Sequence, residues 1–222
     1  MRLMIYFDAH CHVMDDSVFL NAQKHGVQSF IVNTTRPAEW PLVFDLHKRV
    51  TGIYACVGIH PWYIDDAKPG WQYDMENYLR RHPHAMIGEI GLDKKKPFFD
   101  QQLRLFKTCL EIATRYNRKV HIHCVGAWDE MIECLTQYRD VKALFHRFSG
   151  DEFTIQKLRL FDAYFSVLNG RYLDVIPENR LLVETDAPDG LRTPVAIPAL
   201  VQTLRLNADI LNLNLEGFLE DV

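Results

Sequence analysis

The stretch Leu3-Met4-Ile5-Tyr6-Phe7-Asp8-Ala9-His10-Cys11-His12 sets the reading of the whole chain. Its apolar opening, Leu3 to Phe7, reads as a buried strand, and its polar end lies where that strand runs out. Side chains alternate across a strand, so His10 and His12 share one face while Ala9 and Cys11 take the other. Two imidazoles one strand-step apart can grip one metal ion, although backbone carbonyls or water satisfy such a pair as well. The rest of the chain decides between the two.

Outward from this stretch, apolar runs alternate with helical patterns. Helical spacing covers 15–25 (closed by Gly26), 39–50, 73–81, 100–117, 127–138, 151–160 and 195–211, and further strands cover 27–34, 53–57, 85–90, 119–123, 141–146, 163–168 and 180–184. Eight strands separated by helices or turns imply parallel βαβ units in an α/β protein. An open doubly wound sheet and a closed (β/α)8 TIM barrel both accommodate them. The absence of Gly-x-Gly-x-x-Gly after the first strand counts against a dinucleotide-binding sheet. No linker interrupts the pattern, so residues 1–222 read as one domain.

The chain has 222 residues, 48% hydrophobic and 24% charged, which suits a packed core. No apolar run approaches the roughly 20 residues of a membrane helix. The N-terminus lacks the apolar stretch and cleavage site of a signal peptide, so a cytoplasmic location without membrane attachment is expected. Five scattered cysteines without a Cys-x-x-Cys pair fit reduced thiols. A net charge of -4 argues against gripping nucleic acid by bulk electrostatics, but not against local phosphate binding at a metal centre.

Barrel enzymes carry their chemistry at the C-terminal ends of strands. There this sequence places His10, His12, His60, Glu89, His123, His146, Glu184 and Asp186. His121 shares the parity of His123 but lies farther from the strand end, and Asp186 lies nearer the loop than Glu184. Cys11 and Cys124 point away from their neighbours and read as small buried hydrophobes. Taken together, the strand-end residues point to a metal site.

Asp8-x-His10-x-His12, Gly58-x-His60-Pro61, Gly88-Glu89-Ile90-Gly91-Leu92-Asp93, Ile122-His123, His146-Arg147-Phe148-Ser149-Gly150 and Glu184-Thr185-Asp186-Ala187-Pro188 stand in an order that resembles the successive motifs of the TatD family of metal-dependent hydrolases. The resemblance implies a TIM barrel of the amidohydrolase type holding one or two divalent ions: Zn, Mn, Mg, Co or Ni, with Mg the poorest match to histidine ligands. It implies that His10 and His12 hold one ion, that His123 and His146 hold the other, and that Glu89 bridges them. Asp186 would join the first site and contact the attacking water, with His60 beside the phosphate or the metals. Asp8, Asp93 and Glu184 would stand behind these ligands, Asp8 orienting an imidazole.

The implied activity is that of a deoxyribonuclease of the 3′-5′ exonuclease type, a monomer binding DNA or another phosphodiester transiently. Hydrolysis of an amide, ester or lactone is the alternative within the same chemistry, and a non-catalytic metal or nucleic-acid binding protein the alternative outside it. The sequence departs from the family's pattern in four places. His123-Cys124-Val125 lacks an arginine, and Lys94 opens a run of three lysines where an aromatic residue is usual. Leu191-Arg192-Thr193-Pro194 replaces Arg-Asn-x-Pro, and the chain ends at Val222, before the expected Asn-containing terminal helix. Lys94 and Arg147 are the candidate phosphate contacts.

Overall fold

The structure is a computed structural model that describes residues 4–220; Leu3 and Val222, on which readings above fall, lie outside the described residues. Its strands are β1 (Tyr6–Cys11), β2 (Val27–Asn33), β3 (Ile53–Val57), β4 (Met86–Asp93), β5 (Val120–Val125), β6 (Ala143–Phe145), β7 (Ala163–Val167) and β8 (Leu181–Val183). All pair in parallel with their sequence neighbours, in the order β1 to β8. The helices are α1 (Asp16–Lys24), α2 (Trp40–Arg49), α3 (Trp71–Arg81), α4 (Phe99–Tyr116), α5 (Trp128–Gln137), α6 (Glu152–Leu158), α7 (Ile197–Thr203) and α8 (Ala208–Leu219). A short 3₁₀ segment, Pro61–Asp66, stands between β3 and α3. The architecture is the expected (β/α)8 barrel, and among the described residues no helix is long and apolar enough to cross a membrane.

Local chemistry explains the elements. Every residue of β4 is buried, because one face looks into the barrel and the other onto helices. The 18-residue α4 buries Leu105, Phe106, Cys109, Leu110, Ile112 and Ala113 along one stripe. Asp15 and Asp151 open α1 and α6 by accepting the backbone N–H groups of Ser17 and Thr154. Gly91 lets β4 lie close to β5, since a Cβ there would collide with the His123 carbonyl. All five cysteines are free and buried.

The last seam of the barrel joins β1 to the chain leaving β8. Asp186 N–H donates to the His10 carbonyl at 2.8 Å, and His12 N–H to the Ala187 carbonyl at 2.7 Å. Beneath them the buried Asp8 carboxylate accepts the Thr185 N–H at 2.9 Å and the Thr185 hydroxyl. Asp8 thus stitches the seam and accepts the His10 backbone N–H at 3.3 Å, which corrects the expectation that it orients an imidazole.

Most boundaries shift by one to three residues from the sequence reading, and two differences are larger. Met4 and Ile5 are 61% and 54% exposed, and β1 runs instead through Asp8 and His10, which the seam and the site bury. The expected helix over 195–211 is broken: Arg205 takes a left-handed conformation (φ 56°), and Asn207 starts α8 by accepting the N–H groups of Asp209 and Ile210. An Asn-containing terminal helix is therefore present after all. Asn214 of α8 donates to the Glu178 and Leu181 carbonyls and pins the helix under β8.

Candidate metal centre

β1, β4 and β5 carry His10, Glu89 and His123, and the turns after β1, β3, β6 and β8 carry His12, His60, His146 and Asp186. All converge at the C-terminal mouth of the barrel, beneath a cleft of about 370 Å³ whose walls include Trp62, Tyr63 and Arg147.

Glu89 is the hub. Its Oε2 faces His12 Nε2 at 3.2 Å and His10 Nε2 at 3.4 Å. Its Oε1 faces His146 Nε2 at 2.8 Å and both His60 Nε2 and His123 Nδ1 at 3.1 Å. Asp186 Oδ1 approaches the first set, 3.4 Å from His12 Nε2, while its Oδ2 takes a 2.8 Å ion pair with Arg147. His10 and His146 stack with ring centroids 4.0 Å apart. Three combinations here can each hold a metal ion: His10 with His12 and Asp186, His10 with Glu89 and His146, and His60 with Glu89 and His123.

Tautomers test whether these donors fit a metal. His12 Nδ1 lies 2.9 Å from the Asn33 carbonyl, which can only accept, so the proton of the neutral ring sits there and Nε2 presents its lone pair to the site. His123 Nε2 looks toward Asp93 Oδ2 at 3.6 Å, which favours a proton on that nitrogen and a bare Nδ1 inward. Behind His10 stands Asn33, its amide nitrogen 3.0 Å from Nδ1 and its Oδ1 without a partner. Turning that amide over gives Oδ1 the Nδ1 proton and frees Nε2 of His10 for a metal. Glu89 Oε1 is buried with three imidazole nitrogens 2.8–3.1 Å away, none of them meeting it in hydrogen-bond geometry. These orphaned atoms and the mixed imidazole and carboxylate set fit a divalent transition ion. His60 differs: its Nδ1 accepts the Trp62 N–H at 3.1 Å, so its neutral ring carries a proton on Nε2 and offers a donor.

The remaining candidates separate clearly. Glu184 lies under His146, accepting the Arg147 N–H at 2.7 Å and the Ser166 hydroxyl; burial and the Asp186 charge push its carboxyl well above the usual range. His121 is fully buried below the site, stacked on His10 at 5.9 Å, and burial holds it neutral. Lys94 does not line the cleft. Its Nζ is taken by Glu130 Oε1 at 2.8 Å, so the structure does not place it as a phosphate contact. The sequence reading missed Asn33, which touches both His10 and His12, and Trp62, which donates to Asp93 Oδ2 at 2.6 Å. Asn33 ends a strand with its side chain turned into the barrel, and that parity was its available signal.

Charge inside the site is balanced by protons. Burial opposes ionisation of Glu89, but the imidazoles of His146, His60, His10 and His12 outweigh it and hold the carboxyl well below its ordinary range. Asp186 is depressed to about 2 against its burial, through His12, His146 and His10. Burial also opposes a charge on His123, yet Asp93 and Glu89 raise it to about 9, and Asp186 and Glu89 likewise raise His12. His10, desolvated and beside His146, falls to about 3 and is neutral. A metal must therefore displace protons from His12 and His123 at pH 7. Loading is expected to release about two protons there, and affinity to rise with pH until His123 deprotonates near 9. Calorimetric titration with Mn²⁺ in buffers of different ionisation enthalpy checks this; loading without proton release would contradict it.

Comparison with known proteins follows the same line. A family model described as TatD related DNase matches residues 7–220. YjjV of Escherichia coli K12, named an uncharacterized metal-dependent hydrolase, is 28% identical over 208 residues, covering 83% of this chain and 80% of its own length. The 3'-5' ssDNA/RNA exonuclease TatD of the same organism is 28% identical over 192 residues, covering 78% and 72%. A relative from Danio rerio, 28% identical, aligns over 62% of its own length, so the chain spans about three fifths of that protein. The crystal structure of E. coli YjjV superposes with a TM-score of 0.88 over 99% of both chains, at 24% identity. With nearly its whole length matched by the family model, the chain belongs to the TatD related DNase family.

Proposed function

We propose that this chain is a metal-dependent phosphodiesterase that trims single-stranded nucleic acid from the 3′ end. One observation carries the reading: each oxygen of Glu89 faces its own set of imidazoles, the arrangement needed to hold two ions side by side. The relatives named as exonucleases support the choice of substrate.

In this reading His10, His12 and Asp186 would hold one ion and His123 and His146 the other, with Glu89 serving both sets. Divalent ions held there would neutralise charge on the phosphodiester and lower the pKa of water toward neutrality. Asp186 is ionised, with Oδ1 turned to the centre, and accepts the proton of the attacking water. Arg147, which holds Asp186 Oδ2, steadies that carboxylate and leaves its half-exposed guanidinium at the cleft for a phosphate oxygen. His60 keeps its proton on Nε2 and turns it into the site, 3.1 Å from Glu89 Oε1.

The test is cleavage of a 5′-labelled single strand with Mn²⁺ or Mg²⁺ and its loss on chelation. Stepwise shortening from the 3′ end is expected. A metal-loaded protein that leaves oligonucleotides intact would overturn the reading, and turnover of lactones or acylated amines by that protein would put amide or ester hydrolysis in its place.

A further inference from the structure

The rim of the cleft holds an aromatic surface that metal chemistry does not use. Trp62 is 50% exposed, a costly position for an indole unless something covers it. It is not loose. Its Nε1 donates to Asp93 Oδ2 at 2.6 Å, its ring stands edge-on to His60 at 5.2 Å, and the turn beneath it is closed by Tyr63 N–H on the His60 carbonyl at 2.8 Å. A cation is already drawn to it, since Lys96 Nζ lies 4.0 Å from the ring centroid. Lys96 is fixed from the same anchor, its N–H donating to the Asp93 carbonyl at 3.1 Å.

We propose that Trp62 and Lys96 form a nucleobase subsite beside the metal centre, where the terminal base of the substrate strand stacks on the indole and Lys96 meets its phosphate. The inference rests on the nuclease reading above and adds to it how a strand end is held. A nucleotide offers both partners at once, a flat ring for the indole and an anion for the ammonium. Asp93 ties this rim to the centre, because the carboxylate that holds Trp62 also faces His123. A strand end gripped here sits next to Glu89 and Asp186, which line the same cleft as Trp62. The neighbouring Tyr63 is less exposed and carries the Arg36 guanidinium 3.6 Å from its centroid, so the more exposed Trp62 is the platform at this edge, with Lys96 clearing one face of the indole as it meets the phosphate.

The test compares two single-stranded oligonucleotides in Mn²⁺, identical except that one carries an abasic 3′-terminal residue. Wild type is expected to show about a tenfold lower KM for the intact end, in the range of one base–aromatic stack, with kcat little changed. Trp62→Ala removes that preference. Trp62→Phe keeps a stacking ring but loses the N–H to Asp93, and is expected to retain most of it. Equal KM for both substrates in wild type overturns the subsite while leaving the nuclease reading intact. Loss of the preference in Trp62→Phe as complete as in Trp62→Ala assigns the residue to anchoring Asp93 and also overturns it. Cleavage of neither oligonucleotide by metal-loaded wild type removes the nuclease reading, and the subsite with it.

Discussion

Glu89→Gln is expected to lose at least about a thousandfold in turnover together with most of its bound metal. The carboxylate is the one group that reaches both imidazole sets, through different oxygens. Glutamine keeps the size but turns one of those oxygens into an NH₂ that cannot ligate. Loss of a contact that merely supports a ligand already costs about 10- to 100-fold in metal affinity, and removal of a shared ligand exceeds that. The change also removes the charge that helps keep His12 and His123 protonated, so proton release on loading falls with it. Elemental analysis of the purified variant, followed by a single-turnover assay, reads both effects. Full metal content in an inactive Glu89→Gln protein would show that Glu89 does not bridge.

Asp186→Asn separates chemistry from binding. Its Oδ1 is 3.4 and 3.9 Å from two imidazoles, a looser grip than that of Glu89, while Oδ2 is committed to Arg147. Asparagine still offers an oxygen but cannot take a proton, so turnover is expected to fall about 10²- to 10⁴-fold while most metal stays bound. The pH profile provides a second readout. The imidazoles hold this carboxyl near 2 in the metal-free protein, and a cation bound in the same place would also keep it ionised, so wild-type activity should show no acid limb from this group above pH 4. Near-normal turnover in Asp186→Asn would remove Asp186 from proton transfer.

These tests bear on residues that the sequence made legible to different degrees. β3 was readable to the residue, because Ile53-Tyr54-Ala55-Cys56-Val57 is a short apolar run bounded by Gly52 and Gly58. β1 was placed too early, because hydrophobicity marks Met4 and Ile5 while the structure buries Asp8 and His10 by satisfying them across the seam. The final helix was run together because a left-handed Arg205 has no compositional signature. Strand parity put the imidazoles on the right faces. It could not show that Lys94 is spent on Glu130 or that Trp62 reaches Asp93 across 31 positions, since these contacts depend on how segments from separate βα units meet.

The seam between β1 and the end of β8 gives the centre a place in time as well as in space. Asp8, just ahead of His10 and His12, is synthesised 177 residues before Thr185, and Asp186 and Ala187, which hold the two histidines in position, follow Thr185. Until that segment docks, the Asp8 carboxylate lacks its Thr185 partners and the first two histidines lack Asp186. Barrel closure and completion of the donor set are then a single event. A chain lacking residues 185–187 is expected to capture metal poorly, which makes ion occupancy a report on whether the seam has closed.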